Sequence, residues 1–168
     1  MSVITIGDDC ITAFSQLRSQ RHSNKPRFII YRITEDYNDV VVEDSSSEQD
    51  YEVFRQKLVS AVDAQGKPAP RYAVYDVEYD LGTEGKRLVS LLMVLSVLWI
   101  QCLTSIEPKL SSSLGYPEKP RSRFERMIYA STKEQLRRFL DVKASIHADE
   151  VGELEWKTVL KEASGGKA

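Results

Sequence analysis

The chain is 168 residues long, with 42% hydrophobic and 29% charged residues and a formal net charge of −2. That is one domain's worth of chain and enough to bury a core. The near balance of charge excludes bulk attraction to nucleic acid or acidic lipid, so any anionic partner has to be met by a local basic patch. Cys10 and Cys102 have neither metal-ligand spacing nor a disulfide framework, and the start Met1-Ser-Val-Ile-Thr-Ile-Gly-Asp8 lacks the basic region of a secretory signal. A reducing intracellular compartment is the expectation.

In chain order, Asp8 or Asp9 is expected to cap a first helix whose apolar positions are Ile11, Phe14 and Leu17, and the polar run from Arg18 to Lys25 with Pro26 ends it. Two β-rich runs, 27–33 and 39–43, flank the turn-like Glu35-Asp-Tyr-Asn38 and predict an antiparallel hairpin. The serine- and acid-rich loop 45–50 leads into a helix over 51–62, with Tyr51, Phe54, Leu58 and Val62 as its core-facing stripe. After the Gly/Pro loop 65–70, residues 71–80 read as a strand. Its Tyr72, Tyr75 and Tyr79 could suggest a platform for bases, but alternation in a central strand makes them core, and no other feature supports nucleic acid. Gly82-Thr-Glu-Gly85 lacks the Lys-Ser or Lys-Thr of a nucleotide loop and reads as a hairpin turn. The pattern is α/β with a mixed sheet and no dividing linker.

From Leu88 to Ile106 the chain carries no charge. At 1.5 Å per residue such a run approaches ~28 Å, near the thickness of a bilayer core. Ser90, Ser96, Gln101, Thr104 and Ser105 interrupt it, and a Ser- and Pro-rich stretch to Pro120 follows. Three readings stand side by side: translation of a retained intron, a buried strand with a long inserted loop, or membrane contact.

The richest stretch is Met127-Ile-Tyr-Ala-Ser-Thr-Lys-Glu-Gln-Leu-Arg-Arg138, read as a strand end followed by a capped helix. Ser131 with Glu134 three residues on has the form of a capping box. Leu136, Phe139 and Leu140 form an apolar stripe, while Lys133, Arg137 and Arg138 cluster positive charge near the helix start. Composition alone also allows a plain solvated basic face.

These residues resemble the actin-depolymerising factor and cofilin family. The string MIYASTKEQLRR is similar to its long-helix signature, Asp9-Cys-Ile-Thr-Ala-Phe14 to its first helix and Arg71-Tyr-Ala-Val-Tyr-Asp-Val-Glu-Tyr79 to its central strand. Gly85-Lys-Arg87 follows at the expected distance, and Ile146-His-Ala-Asp149 with 155–163 looks like the closing strand and helix of fungal members. Matches cover about three quarters of the chain. The resemblance implies an ADF-homology fold over 1–168, a mixed central sheet flanked by helices on both faces, with an atypical hydrophobic and Ser/Pro-rich insertion at about 88–125. There the chain departs from the family, which continues the Gly-Lys-Arg turn with a short strand bearing a further lysine, a Trp-Pro corner and a brief loop.

By the same resemblance, the chain would bind actin monomers and filaments, severing and depolymerising the latter. Ser2, Val3, Met127, Lys133, Glu134, Arg137 and Arg138 would form the monomer surface. Lys86, Arg87, Lys161 and Glu162 would form the filament surface, although Lys161-Glu162 does not reproduce the family's acid-then-base order. Phosphorylation of Ser2 and competition by acidic phosphoinositides at Lys133, Arg137 and Arg138 are the implied controls. The implied protein is a monomer of the cytoplasm and cortical actin cytoskeleton, and of the nucleus. Alternatives are a non-severing regulator of the same fold, or a defective or membrane-associated variant created by 88–125. Catalysis finds no support: His22 and His147 lie apart in polar segments, no metal-ligand spacing occurs, Cys10 reads as packed, and no cofactor is implied.

Overall fold

The computed structural model describes residues 4–19, 25–62, 69–95, 119–148 and 151–167. Its strands are β1 (Thr5–Ile6), β2 (Phe28–Ile33), β3 (Asp39–Ser46), β4 (Arg71–Asp80), β5 (Lys86–Leu95) and β6 (Ala144–Ala148), and its helices are α1 (Asp8–Arg18), α2 (Tyr51–Val59), α3 (Lys119–Leu140) and α4 (Trp156–Ser164). The strands form one six-stranded sheet in the order β1-β3-β2-β4-β5-β6. β1 with β3 and β5 with β6 are parallel, and the remaining pairs antiparallel, which makes the sheet mixed as the sequence predicts. The parallel β5–β6 pair requires a crossover, and α3 supplies it.

Alternation along the strands sorts the core into two faces. On one, Ile29, Tyr31, Tyr72, Val74, Leu92 and Val94 pack under Cys10, Phe14 and Leu17 of α1 and Tyr129, Leu136 and Leu140 of α3. On the other, Phe28, Ile30, Tyr75, Val77, Leu91 and Met93 pack under Tyr51, Phe54 and Leu58 of α2 and Val159 and Ala163 of α4. Tyr72 and Tyr75 are therefore core residues, and Tyr79 is partly buried beside them. Phenol hydroxyls brace both faces: Tyr31 of β2 donates to the Cys10 carbonyl of α1 at 3.2 Å, and Tyr51 of α2 donates to the Leu154 carbonyl, in the turn before α4, at 2.5 Å.

Several local expectations are corrected. Gly7 is the N-cap of α1, and Asp8 and Asp9 lie in its first turn, where they face the positive end of the helix dipole instead of capping. α2 ends at Val59, leaving Val62 exposed, because its N-cap Asp50 fixes the start and only the first two turns reach the sheet. Ile11 and Phe139 are exposed and line a shared groove between α1 and α3 with Arg18 and Leu140, so the apolar stripe of α3 is Tyr129, Leu136 and Leu140. The expected strand end at Met127–Tyr129 and the helix start at Ser131 are both overturned, since α3 already runs from Lys119. Pro120 sits in its first turn, where a missing N–H costs nothing, and no helix breaker follows until the C-terminus. Ser131 instead donates from Oγ to the Ile128 carbonyl at 3.1 Å.

The uncharged run begins as a sheet strand: Leu88–Leu95 belong to β5, paired in register with β4 from Lys86↔Asp80 to Leu95↔Arg71. The stretch read as an insertion over 88–125 thus starts inside β5 and ends inside α3. Residues 96–118 lie outside the described residues, as do His22, Cys102 and most of the 65–70 loop. Among the described residues, no helix is long and apolar enough to cross a membrane.

Candidate functional site

α3 carries the expected monomer surface on a rigid support. Its inner face is bolted to the sheet: the Tyr129 hydroxyl accepts from the Ile33 N–H at 2.9 Å, and the Tyr72 hydroxyl donates to the Tyr129 carbonyl. The two rings pack with centroids 4.8 Å apart, tilted 34° to each other. The buried Thr132 and Leu136 continue that inner face. Positions seven and four residues further along a helix return to one side, so Met127, Glu134 and Arg138 share the solvent side, all exposed, Met127 at 60%. Lys133 and Arg137 flank this stripe in half-buried positions.

The charges that the sequence groups together are not equivalent. Arg137 is engaged with Glu134, three residues earlier, at 3.2 Å from Nε and 3.1 Å from Nη2 to the same carboxylate oxygen. Lys133 and Arg138 form no ion pair among the described residues. Within 127–140 the uncompensated positive charge therefore comes from these two, with Arg137 and Glu134 forming a neutral pair between them. α3 ends with Asp141 in the left-handed conformation at φ 54 and with Val142 N–H bonded to the Arg137 carbonyl at 3.1 Å, which stops the helix directly after Leu140.

Lys86 and Arg87 occupy a different part of the molecule. β2 pairs with β4 only over Tyr72–Tyr75, and β6 pairs with β5 only over Leu91–Leu95. Past Asp76, whose N–H still donates to the Arg27 carbonyl at 3.1 Å, β4 and β5 pair only with each other among the described residues, so the far end of their hairpin stands out from the sheet. Lys86, Arg87 and Leu88 are exposed there, Leu88 at 48%. A turn with Gly82 at φ 66 and Gly85 at φ 82 closes it, and Asp80 Oδ1 accepts from the Gly82 N–H at 2.8 Å. Glu78 on the neighbouring strand holds Lys86 Nζ at 3.3 Å, while Arg87 carries no ion pair among the described residues.

Lys161 and Glu162 are exposed on α4, on the sheet face opposite α3. Leu160 beside them joins Tyr79 and Val89 in one apolar cluster, so α4 flanks the root of the hairpin. The structure thus brings Met127, Lys133, Glu134, Arg137 and Arg138 together on α3, and leaves Lys86 and Arg87 apart from them on the β4–β5 hairpin and Lys161 and Glu162 on α4. Ser2 and Val3 lie outside the described residues.

The sequence pattern of the family described as cofilin/tropomyosin-type actin-binding protein matches residues 3–97. The chain belongs to the cofilin/tropomyosin-type actin-binding family. It is 34% identical to a cofilin of Gibberella zeae over 171 residues, covering 98% of this chain and 95% of that one. A cofilin of Saccharomyces cerevisiae is 26% identical over 98% of this chain and 95% of its own length. Among solved structures, a cofilin described as from Streptomyces griseoflavus superposes with a TM-score of 0.69 at 27% identity, covering 98% of this chain and 99% of that one. Human coactosin-like protein superposes with a TM-score of 0.64 at 15% identity over 97% and 99% of the two chains, which shows a shared fold alone. The family pattern stops just past β5, whereas the alignments to fungal cofilins extend over nearly the whole chain and take in α3.

Two features of the cofilin-type site escaped the sequence reading. Gln135 Nε2 donates to the Ile4 carbonyl at 2.7 Å, which ties α3 to the chain just before β1. The Glu134–Arg137 pair was visible as an i,i+3 spacing, but the capping-box reading assigned Glu134 elsewhere.

Proposed function

We propose that this chain binds actin monomers and the sides of actin filaments, and that side binding severs and depolymerises filaments. The observation that carries the reading is the solvent stripe of α3, where Met127 supplies an apolar contact beside Lys133 and Arg138, cations unpaired among the described residues, in a chain of an actin-binding family. Lys133, Glu134, Arg137, Arg138 and Met127, with Ser2 and Val3, form the monomer surface. Lys86 and Arg87 on the projecting hairpin, with Lys161 and Glu162 on α4, form a second surface for a neighbouring subunit. A ligand that prefers an altered subunit twist shifts the filament toward it, and boundaries between decorated and bare stretches become weak. Binding energy accounts for the whole effect, and no catalytic chemistry is needed.

The same exposed cations make acidic phosphoinositides competitors of actin, and phosphorylation of Ser2 adds negative charge to the docking face. The protein acts as a monomer in the cytoplasm and cortical cytoskeleton, and in the nucleus.

Two charge-reversal variants test the reading. Lys133→Glu with Arg138→Glu is expected to weaken monomer capture and filament cosedimentation about 10- to 100-fold, the range for losing charge-assisted contacts. Lys86→Glu with Arg87→Glu is expected to leave monomer capture unchanged while lowering side binding and the number of filament breaks seen by fluorescence microscopy. Unchanged monomer capture in the folded first variant overturns the α3 surface. Tight side binding without breaks in the parent protein replaces severing with a non-severing role.

A further inference from the structure

The β4–β5 hairpin leaves the sheet at one cross-strand row, Asp76↔Ser90. Asp76 is the last β4 residue bonded toward β2, through its N–H and the Arg27 carbonyl, and β6 joins β5 only from Leu91 onward. Four further rows, from Val77↔Val89 to Asp80↔Lys86, carry the hairpin outward by roughly 13 Å at the rise of a strand. Lys86 and Arg87 ride on the outermost two.

The two faces of this arm are held differently. On one, Tyr79 and Val89 share an apolar cluster with Leu160 of α4. Alternation puts Asp76, Ser90 and Leu88 on the other, the face covered by α1 and α3, yet there they line a cavity of about 480 Å³ with Phe14, Val142 and Lys143. Apolar packing therefore does not fix the arm from that side. A polar cluster takes its place. Asp76 is 1% exposed. Its Oδ1 accepts from Ser90 Oγ at 2.7 Å, and Lys25 Nζ lies 3.3 Å from Oδ2 as an ion-pair partner without hydrogen-bond geometry. Two residues further out, Glu78 stands 3.9 Å from Arg27 and 3.3 Å from Lys86. A buried carboxylate is costly unless its partners stay in place, so the cluster resists any movement of the arm that parts Ser90 or Lys25 from Asp76.

We propose that Asp76 is a positioning residue for filament binding: gripped by Ser90 and Lys25 at the root of the hairpin, it fixes the angle at which Lys86 and Arg87 meet a neighbouring subunit. This rests on the reading of the hairpin as a filament surface. Asp76 is itself too deeply buried to touch actin. The cavity beside it is the room into which the arm swings when the grip is lost.

The test reads filament cosedimentation and monomer capture side by side. Ser90→Ala removes the donor to Oδ1, whereas Ser90→Thr keeps it, with the cavity to take the added methyl group. In folded protein Ser90→Ala is expected to weaken side binding about threefold to tenfold, the scale of one lost hydrogen bond, and to leave monomer capture unchanged. Ser90→Thr is expected to bind filaments like the parent. In a double-mutant cycle, Lys86→Ala with Arg87→Ala is expected to cost clearly less in the Ser90→Ala background than in the parent. Lys25→Gln, at a half-buried position, repeats the measurements should Ser90→Ala fold poorly. Parent-like side binding by folded Ser90→Ala overturns the positioning role. So do losses that simply multiply, an equal loss of monomer capture, or Ser90→Thr as weak as Ser90→Ala. A parent that binds no filament, or whose side binding ignores Lys86→Ala with Arg87→Ala, refutes the filament reading of the hairpin itself.

Discussion

Removing the Tyr129 hydroxyl should loosen α3 from the sheet out of proportion to one missing oxygen atom. Tyr129 is 3% exposed and Ile33 is 6% exposed, so in Tyr129→Phe the Ile33 N–H loses its acceptor in a place where little water can replace it. An orphaned buried donor costs about 1–3 kcal/mol, more than the net worth of the bond itself. For a domain of this size each kcal/mol shifts the melting temperature by roughly 2–4 °C, so the variant should melt about 2–12 °C below the parent. Tyr79→Phe is the control, since that partly buried hydroxyl makes no hydrogen bond among the described residues. Thermal unfolding followed by circular dichroism reads both. A Tyr129→Phe protein that melts with the parent, or a Tyr79→Phe protein that falls equally far, refutes the claim that this bond anchors the helix. Because Met127 lies two residues before Tyr129 on the same helix, the variant should also bind actin monomers more weakly than its stability loss alone requires.

The buried Arg71 guanidinium makes a second anchor, with Nε and Nη2 on Glu43 at 2.8 and 3.1 Å and further bonds to the Pro70 and Val62 carbonyls. Arg71→Met should cost about 3 kcal/mol in urea unfolding, because Glu43 and two carbonyls lose their partner together, while Glu43 keeps some solvent. A loss below about 1 kcal/mol would show that the pair is dispensable. Burial pushes the Cys10 thiol up to about 12 and raises the Tyr31, Tyr51 and Tyr72 hydroxyls above the ordinary tyrosine range. Each raised group favours the native state until pH passes its unfolded value, near 8.5 for cysteine and about 10 for tyrosine. Stability should therefore hold from neutral pH to about 8 and fall progressively above it. Absorbance titration at alkaline pH should show these three tyrosines ionising only together with unfolding, and the Cys10 peptide should resist alkylation at pH 8. Smooth ionisation of all tyrosines in folded protein contradicts this.

The elements most legible in the sequence were those whose amphipathic period is complete within one segment. α1, the β2–β3 hairpin, α2 and β4 lie close to where alternation and helical spacing put them: α1 and α2 each bury one face on the sheet, and the strands alternate between its two faces. The start of α3 was not legible. Ser131 and Glu134 have the spacing of a cap, yet a helix already under way upstream satisfies the amides that a cap would serve, and the two side chains bond elsewhere. Its end was equally concealed, with Asp141 in the left-handed position that glycine usually fills, as Gly165 does after α4. The basic character of the α3 surface was visible, whereas the division of its charges into a paired Arg137 and, among the described residues, unpaired Lys133 and Arg138 depends on rotamers that no spacing rule supplies. The bond from Gln135 to Ile4 spans 131 positions in sequence, beyond the reach of any local pattern. The proposed surfaces come from the resemblance to known proteins, and the structure shows how α3, which carries part of them, is braced against the sheet.

The helix that faces the proposed partner is also the return path between the parallel strands β5 and β6. During synthesis from the N-terminus, Leu91–Leu95 emerge as the newest strand of an unfinished sheet, apolar and open along one edge, and they stay so until Ala148 has left the ribosome. Loop closure over that interval is the most distant pairing in the sheet and sets the slow end of folding. Acquisition of the recognition surface and protection of the nascent chain from aggregation are thereby completed in one and the same step.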